Sequence, residues 1–171
     1  MTTETLPTAT VPPPLPGPDW LPDPGTYSAA PDRCIVELSA RLGPLTTLRR
    51  RLTALDASLT VAPDPDDCVL SLELAGRPLN GRTLTFVSSS LTPTDEATRL
   101  HVPGELALAG DPATAVLGFR VVERTAGRLL LLGTLRLPYR ALRRTTGLTL
   151  PRTRPAAGIR LLVAAEFTCP A

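Results

Sequence analysis

His101, the carboxylates of Asp56, Glu73, Glu105, Glu123 and Glu166, the thiols of Cys34, Cys68 and Cys169, and the phenols of Tyr27 and Tyr139 are the side chains of this chain whose types could do chemistry. His101 is the single histidine, so a His-based zinc site or a Ser-His-Asp triad would have to be built around this one ring. Leu100 and Val102 flank it, which puts it on the polar phase of a strand and reads as a solvated surface histidine. Each of the five carboxylates also falls on a polar strand phase, and none stands beside a second carboxylate as acid/base hydrolysis needs. The three cysteines are odd in number and far apart, so they form neither a CxxC metal pair nor a disulfide framework and read as small reduced packing residues. No GxSxG nucleophile elbow and no glycine-rich phosphate loop is present, so the sequence nominates no catalytic residue, metal or cofactor.

The elements that carry these residues are short and alternating. Cys34, Val36, Leu38, Ala40 and Leu42 alternate with Ile35, Glu37, Ser39 and Arg41, a period of two that predicts a half-buried strand. Leu55, Ala57, Leu59 and Val61 predict a second, ended by the turn residues of PDPDD at Pro63 to Asp67. Leu70, Leu72 and Leu74 predict a third, and Leu84 with Phe86 a fourth beyond the turn GRPLNG. His101 to Leu108, Ala115 to Val122, Leu129 to Leu137 and Ile159 to Phe167 bring the total to eight strands. A long Arg-rich and Pro-rich connection precedes the last one. Helical spacing appears only in Leu45 to Leu55, where leucines three and four apart flank Arg49, Arg50 and Arg51. This pattern predicts a mainly-β antiparallel sandwich or closed barrel, between which periodicity does not choose.

Composition narrows the function. Met1 to Pro24 contains TVPPPLPGPDWLP, whose prolines remove amide donors and favour extended polyproline conformations, so residues 1–24 read as a flexible arm and 25–171 as one folded domain. A hydrophobic content of 43% against 20% charged supplies enough apolar surface for a core. The net charge of +2 names no ligand, and 4% aromatics argues against the stacking platforms that single-stranded nucleic acid requires. No apolar run approaches the ~20 residues of a membrane span and the first thirty residues do not form a secretory leader, which points to the cytoplasm. Arg140, Arg143, Arg144, Arg152 and Arg154 cluster around the last long loop, where a rim position would let them meet an anionic head group and a plain surface position would not.

The order of local motifs resembles the YceI-like family of lipid-binding proteins. GTYSAAPDRCIVELS at Gly25 to Ser39 is similar to that family's opening strand, with Arg33 and Cys34 where His and Ser are usual. LDASLTVAPDPDDCVLSLEL at Leu55 to Leu74 is similar to its second and third strands. LTFVSSSLTPTDEATRLHVPGELALAG at Leu84 to Gly110 is similar to the next two, with Phe86, Ser88 and Ser89 in a Phe-x-Ser-x pattern and Gly104 and Leu106 at a strand start. Where the family carries an Arg-Asp-x-x-Leu stretch with short helices, this chain has only AGRPLNGR. The resemblance implies a single eight-stranded, lipocalin-like antiparallel barrel that encloses a polyisoprenoid or lipid-like molecule, with the shortened segment altering or opening the cavity.

Leu38, Leu59, Leu72, Phe86, Leu106, Phe119, Leu131 and Val163 share the apolar phase of the eight strands, so a closed barrel turns all of them inward. With Ala57 as a small neighbour and Tyr139 able to line a pocket mouth, they form the expected wall for an elongated apolar guest. A cyclase or isomerase that folds a polyene or polyketide chain by confinement would need no further motif. A solid barrel serving as scaffold for partner docking through the Pro-rich arm is the third class. The expected partner is a small apolar molecule and not nucleic acid, and a homodimer is compatible with the sequence.

Overall fold

A computed structural model describes residues 22–42, 45–94, 98–148 and 159–169, with side chains of 41–47 excluded. Ten strands result: β1 (Gly25–Ser28), β2 (Cys34–Leu42), β3 (Leu45–Val61), β4 (Val69–Ala75), β5 (Leu84–Ser88), β6 (Thr92–Pro93), β7 (Arg99–Leu108), β8 (Asp111–Thr125), β9 (Arg128–Leu137) and β10 (Ile159–Thr168). One α-helix, α1 (Tyr139–Thr146), stands between β9 and β10. Short 3-10 turns follow β1, β3 and β4. Residues 1–21, including Trp20 and nearly all of the Pro-rich stretch, and 149–158, including Arg152 and Arg154, lie outside the described residues.

Eight strands pair antiparallel in the cycle β2-β3-β4-β5-β7-β8-β9-β10, and β10 returns to β2. The chain is therefore a closed eight-stranded barrel, in which closure pairs most of the sheet edge that an open sheet would leave exposed. The connections β2–β3, β4–β5 and β7–β8 gather with α1 at one end, here the α1 end. At the other, the β1 end, β1 pairs with β3 through Tyr27↔Leu59 and touches β10 through Ser28↔Thr168. Tyr27 is 1% exposed, and its hydroxyl donates to the Asp23 carbonyl at 2.7 Å and the Ala126 carbonyl at 3.1 Å. It thereby ties the start of the domain to the β8–β9 hairpin. Pro22 is buried as well, so the ordered contacts begin inside the stretch that composition assigned to the arm.

The alternation that predicted the strands is the alternation that buries them. Leu38, Ala57, Leu59, Leu72, Phe86, Leu106, Phe119, Leu131 and Val163 all belong to one buried cluster, and His101, Asp56, Glu105 and Glu123 are exposed. Three departures have local causes. Leu45–Leu55 is not helical but the first half of β3. Its leucine spacing looks helical because Arg50 occupies the apolar phase between the buried Leu48 and Leu52 and interrupts the alternation, while pairing with β2 holds the segment extended. Leu55 is 54% exposed because the β3–β4 register shifts between Ala54 and Asp56, a bulge that turns one residue outward. The connection after Leu137 holds α1, which ends on Gly147 at φ 72°, a left-handed conformation that glycine adopts without a Cβ clash.

Inside the barrel, aromatic rings cover glycines. Gly133 pairs with Phe119, and a Cβ there would collide with the Phe119 ring. A Cβ on Gly104 would meet the Val87 carbonyl and stand 2.8 Å from the tip of the Phe86 ring, so the backbone itself would have to move. Gly104→Ala is therefore expected to lower stability by about 1–3 kcal/mol through overpacking. Gly133→Ala should cost less, because a ring can shift more easily than a strand. Urea midpoints of the two variants against the parent check both the sign and the order.

Candidate functional site

The barrel is not sealed along its whole height. β8 pairs with β7 from Asp111↔Leu108 to Arg120↔Arg99, but its pairing with β9 runs only from Gly118↔Thr134 to Thr125↔Arg128. Toward the α1 end, residues 111–117 of β8 have no strand on their second side, and β9 beyond Thr134 pairs with β10 alone. Seven residues at about 3.4 Å each leave an unpaired β8 edge roughly 24 Å long, a split in the wall faced by only residues 135–137 of β9. Proline flanks it twice, at Pro112 in β8 and at Pro138 after β9, and neither can donate a ladder hydrogen bond.

Exposure follows the split. Ala113 and Ala115 share the inward phase of the buried Leu117 and Phe119, yet Ala113 is exposed and Ala115 half-buried because no β9 neighbour covers them. Leu106 and Leu108, opposite Ala113 and Asp111 on β7, are 7% and 9% exposed, whereas Leu38, Leu59 and Leu117 are at 0%. A pocket of about 550 Å³ occupies the split. Its inner lining is Leu106, Ala113, Ala115 and Leu135, and its outer lining includes Thr114, Thr134, Arg136 and Arg160. A smaller pocket of about 70 Å³ lies beneath α1, between Leu84, Leu106, Leu108, Leu137, Ala141 and Leu142.

α1 sits over this end with one anchor. Leu142 is 1% exposed, and Thr146 donates to the Leu142 carbonyl at 2.7 Å while accepting from the Leu148 amide at 3.2 Å. Arg140, Arg143 and Arg144 point from the helix into solvent. Tyr139, expected at a pocket mouth, starts the helix and packs half-buried against the core at this end. Of the strand residues expected to form the ligand wall, Leu106 lines the split and its pocket. Ala57, Leu38, Leu59, Leu72, Phe86, Phe119, Leu131 and Val163 are buried in the core cluster. The residues sequence reasoning missed are Ala113, Ala115, Leu135, Arg136 and Arg160. Leu135 lay on a legible apolar phase, but nothing local marks the others as neighbours.

Among the described residues no His, Cys, Asp or Glu side chain lines the pocket in the split. Among the described residues no three His, Cys, Asp or Glu side chains are placed to hold a metal ion. No described helix is long and apolar enough to cross a membrane. Glu166 lies between Arg33 at 3.2 Å and Arg128 at 2.8 Å on the outer face, and Glu37 accepts from Arg49 at 2.6 Å. The shifted ionisations all belong to buried groups that favour their neutral form. Burial pushes the Cys34 thiol up. Burial also raises Cys68; the hydrogen bond its sulfur accepts from the Ala62 amide at 3.3 Å works against that rise, and the carboxylates of Asp64 and Asp67 add to it. Burial, with Cys169 and Asp23, raises the Tyr27 phenol.

No family model matches the sequence, and no curated protein matches it. Among solved structures, that of BcnA from Burkholderia cenocepacia superposes with a TM-score of 0.54 at 13% identity, covering 83% of this chain and 99% of the other. The chain has the BcnA fold. A polyisoprenoid-binding domain from Saccharophagus degradans, implicated in plant cell wall breakdown, gives a TM-score of 0.48 at 13% identity over 84% of this chain and 98% of the other. The barrel shared with BcnA agrees with the lipocalin-like fold that the sequence motifs resembled.

The thiol shifts set an alkaline limit on stability. Both folded thiols titrate above their ordinary 9.0, so above pH 9 the unfolded chain releases protons that the folded chain retains. Their contribution is complete below pH 9 and is lost as pH rises through the folded values. The urea midpoint should fall between pH 8.5 and 10.5, and the Cys34→Ala, Cys68→Ala double variant should show a shallower fall. An equal slope in both proteins would contradict the assignment.

Proposed function

We propose that the protein binds an elongated apolar small molecule in its barrel, and that the guest lies along the split between β8 and β9 with its chain against the leucines of the α1 end. The observation that carries this reading is the exposure of the inward-phase residues Ala113 and Ala115, beside Leu106 and Leu135. A barrel without a guest has no reason to leave its inner face uncovered along one seam, since uncovered apolar surface forgoes roughly 25 cal/mol per Å². The pocket of about 550 Å³ falls within the range that holds small ligands. The resemblance of the motifs to lipid-binding barrels points to a polyisoprenoid or lipid-like chain as the guest. The ordered β1 end supports the same division: Tyr27, Phe119 and Phe167 are each at most 2% exposed and pack that end tightly.

Two tryptophan substitutions test it. Ala113→Trp places a ring in the open split and should leave the fold intact while abolishing uptake of geranylgeraniol, followed by native mass spectrometry of the purified protein. Ala57→Trp places the same ring at a position 2% exposed and opposite Leu72, and should destabilise by about 1–3 kcal/mol or more because the core there is full. Unchanged geranylgeraniol uptake by Ala113→Trp, or no uptake by the parent protein, counts against the split as the binding site.

A further inference from the structure

We infer that the split selects amphiphiles bearing an anionic head group, a carboxylate or a phosphate, held by Arg136 and Arg160. This rests on the reading of the split as the site of an apolar guest and names the chemistry at the guest's polar end.

Arg136 on β9 and Arg160 on β10 are direct cross-strand partners. Opposed residues in an antiparallel pair stand about 5 Å apart at Cβ, where two like charges destabilise the sheet. Neither guanidinium is relieved by a carboxylate: among the described residues the ion pairs are Arg33–Glu166, Arg128–Glu166, Arg128–Glu123 and Arg49–Glu37. Across β10 from Arg136, Arg160 faces Ser39, and the nearest carboxylate along β2, Glu37, is already engaged by Arg49 at 2.6 Å. Two arginines thus stand side by side next to the split, with no carboxylate partner among the described residues.

Their position relative to the apolar surface is what makes the pair a selector. Arg136 and Arg160 line the same pocket as Leu106, Ala113 and Leu135, with the cations on the outward phase and the apolar groups on the inward phase. No carboxylate lines that pocket; Asp111 borders only the smaller one under α1. A chain lying on Leu106 and Leu135 therefore brings its polar end out on the β9 side of the split, beside Arg136 with Arg160 directly behind it on β10. Guanidinium groups bind planar or tetrahedral oxyanions through paired N–H donors. Thr114 and Thr134 add hydroxyls at the same rim. The exposed Arg140, Arg143 and Arg144 of α1 lie at this end too and favour an approaching anion over a cation.

Three ligands with one tail separate the head group from the chain: dodecanol, dodecanoate and dodecyl phosphate, titrated calorimetrically at pH 7.5 below their micellar concentrations. Dodecanoate and dodecyl phosphate should bind at least tenfold more tightly than dodecanol. In the Arg136→Gln, Arg160→Gln double variant the ratio of dodecanoate or dodecyl phosphate affinity to dodecanol affinity should shrink to within twofold, and Arg→Lys at both positions should restore part of it. Because the two charges repel in the free protein, Arg136→Gln alone should raise the melting temperature, whereas an arginine serving only the fold would lower it on removal. Equal binding of the three by the parent protein overturns this inference and leaves the apolar site standing, as does a double variant that keeps the full preference. Binding of none of the three overturns the apolar site and this inference with it.

Discussion

Closure of the sheet by its last strand is the constraint on which the rest of this protein depends. β10 pairs with β9 over its whole length, from Ile159↔Leu137 to Thr168↔Arg128, and with β2 from Arg160↔Ser39 to Ala165↔Cys34. Until those residues arrive, β2 and β9 are both edges with unmatched amides and carbonyls, and Val36, Leu38, Leu131 and Leu135 have no opposite wall. The pairing joins segments more than a hundred residues apart, so its loop entropy must be met before its contacts reward it, and folding should be correspondingly slow.

Closing a sheet this way leaves the packing uneven along the barrel axis. The β1 end is filled by Tyr27, Phe119 and Phe167 and tied by the two hydrogen bonds of the Tyr27 hydroxyl. Toward the α1 end the strands run on without a common partner: β9 follows β10, β8 follows β7, and the wall parts between them. A short helix anchored by Leu142 and the 3-10 turn that buries Pro78 and Leu79 cover part of this end. One end is therefore a filled core, and the other leaves inward-phase residues such as Ala113 uncovered.

Electrostatics follow the same geometry. Among the described residues three arginines meet carboxylates, Arg33 and Arg128 at Glu166 and Arg49 at Glu37. Such exposed pairs contribute little to stability, so their main effect is to leave no local excess of charge. Arg136 and Arg160 have no such partner among the described residues and stand opposed across β9 and β10 beside the split.

The strands themselves were legible in the sequence, because a period of two survives in any half-buried sheet and needs no knowledge of neighbours. β2 was read residue for residue, and the apolar phase from Leu38 to Val163 proved to be the buried one. Where a single residue broke the alternation the reading failed: Arg50 made the first half of β3 look helical, and the bulge beside Asp56 sent Leu55 outward. Neither β1 nor α1 announced itself, since the first is held by pairing with distant β3 and the second is an eight-residue helix in an Arg-rich stretch. Only the tertiary structure decided which strands meet and where they fail to meet. Ala113 and Leu135, or Arg136 and Arg160, become neighbours through strand order and register, which are set by closure over the whole chain rather than by any spacing within it.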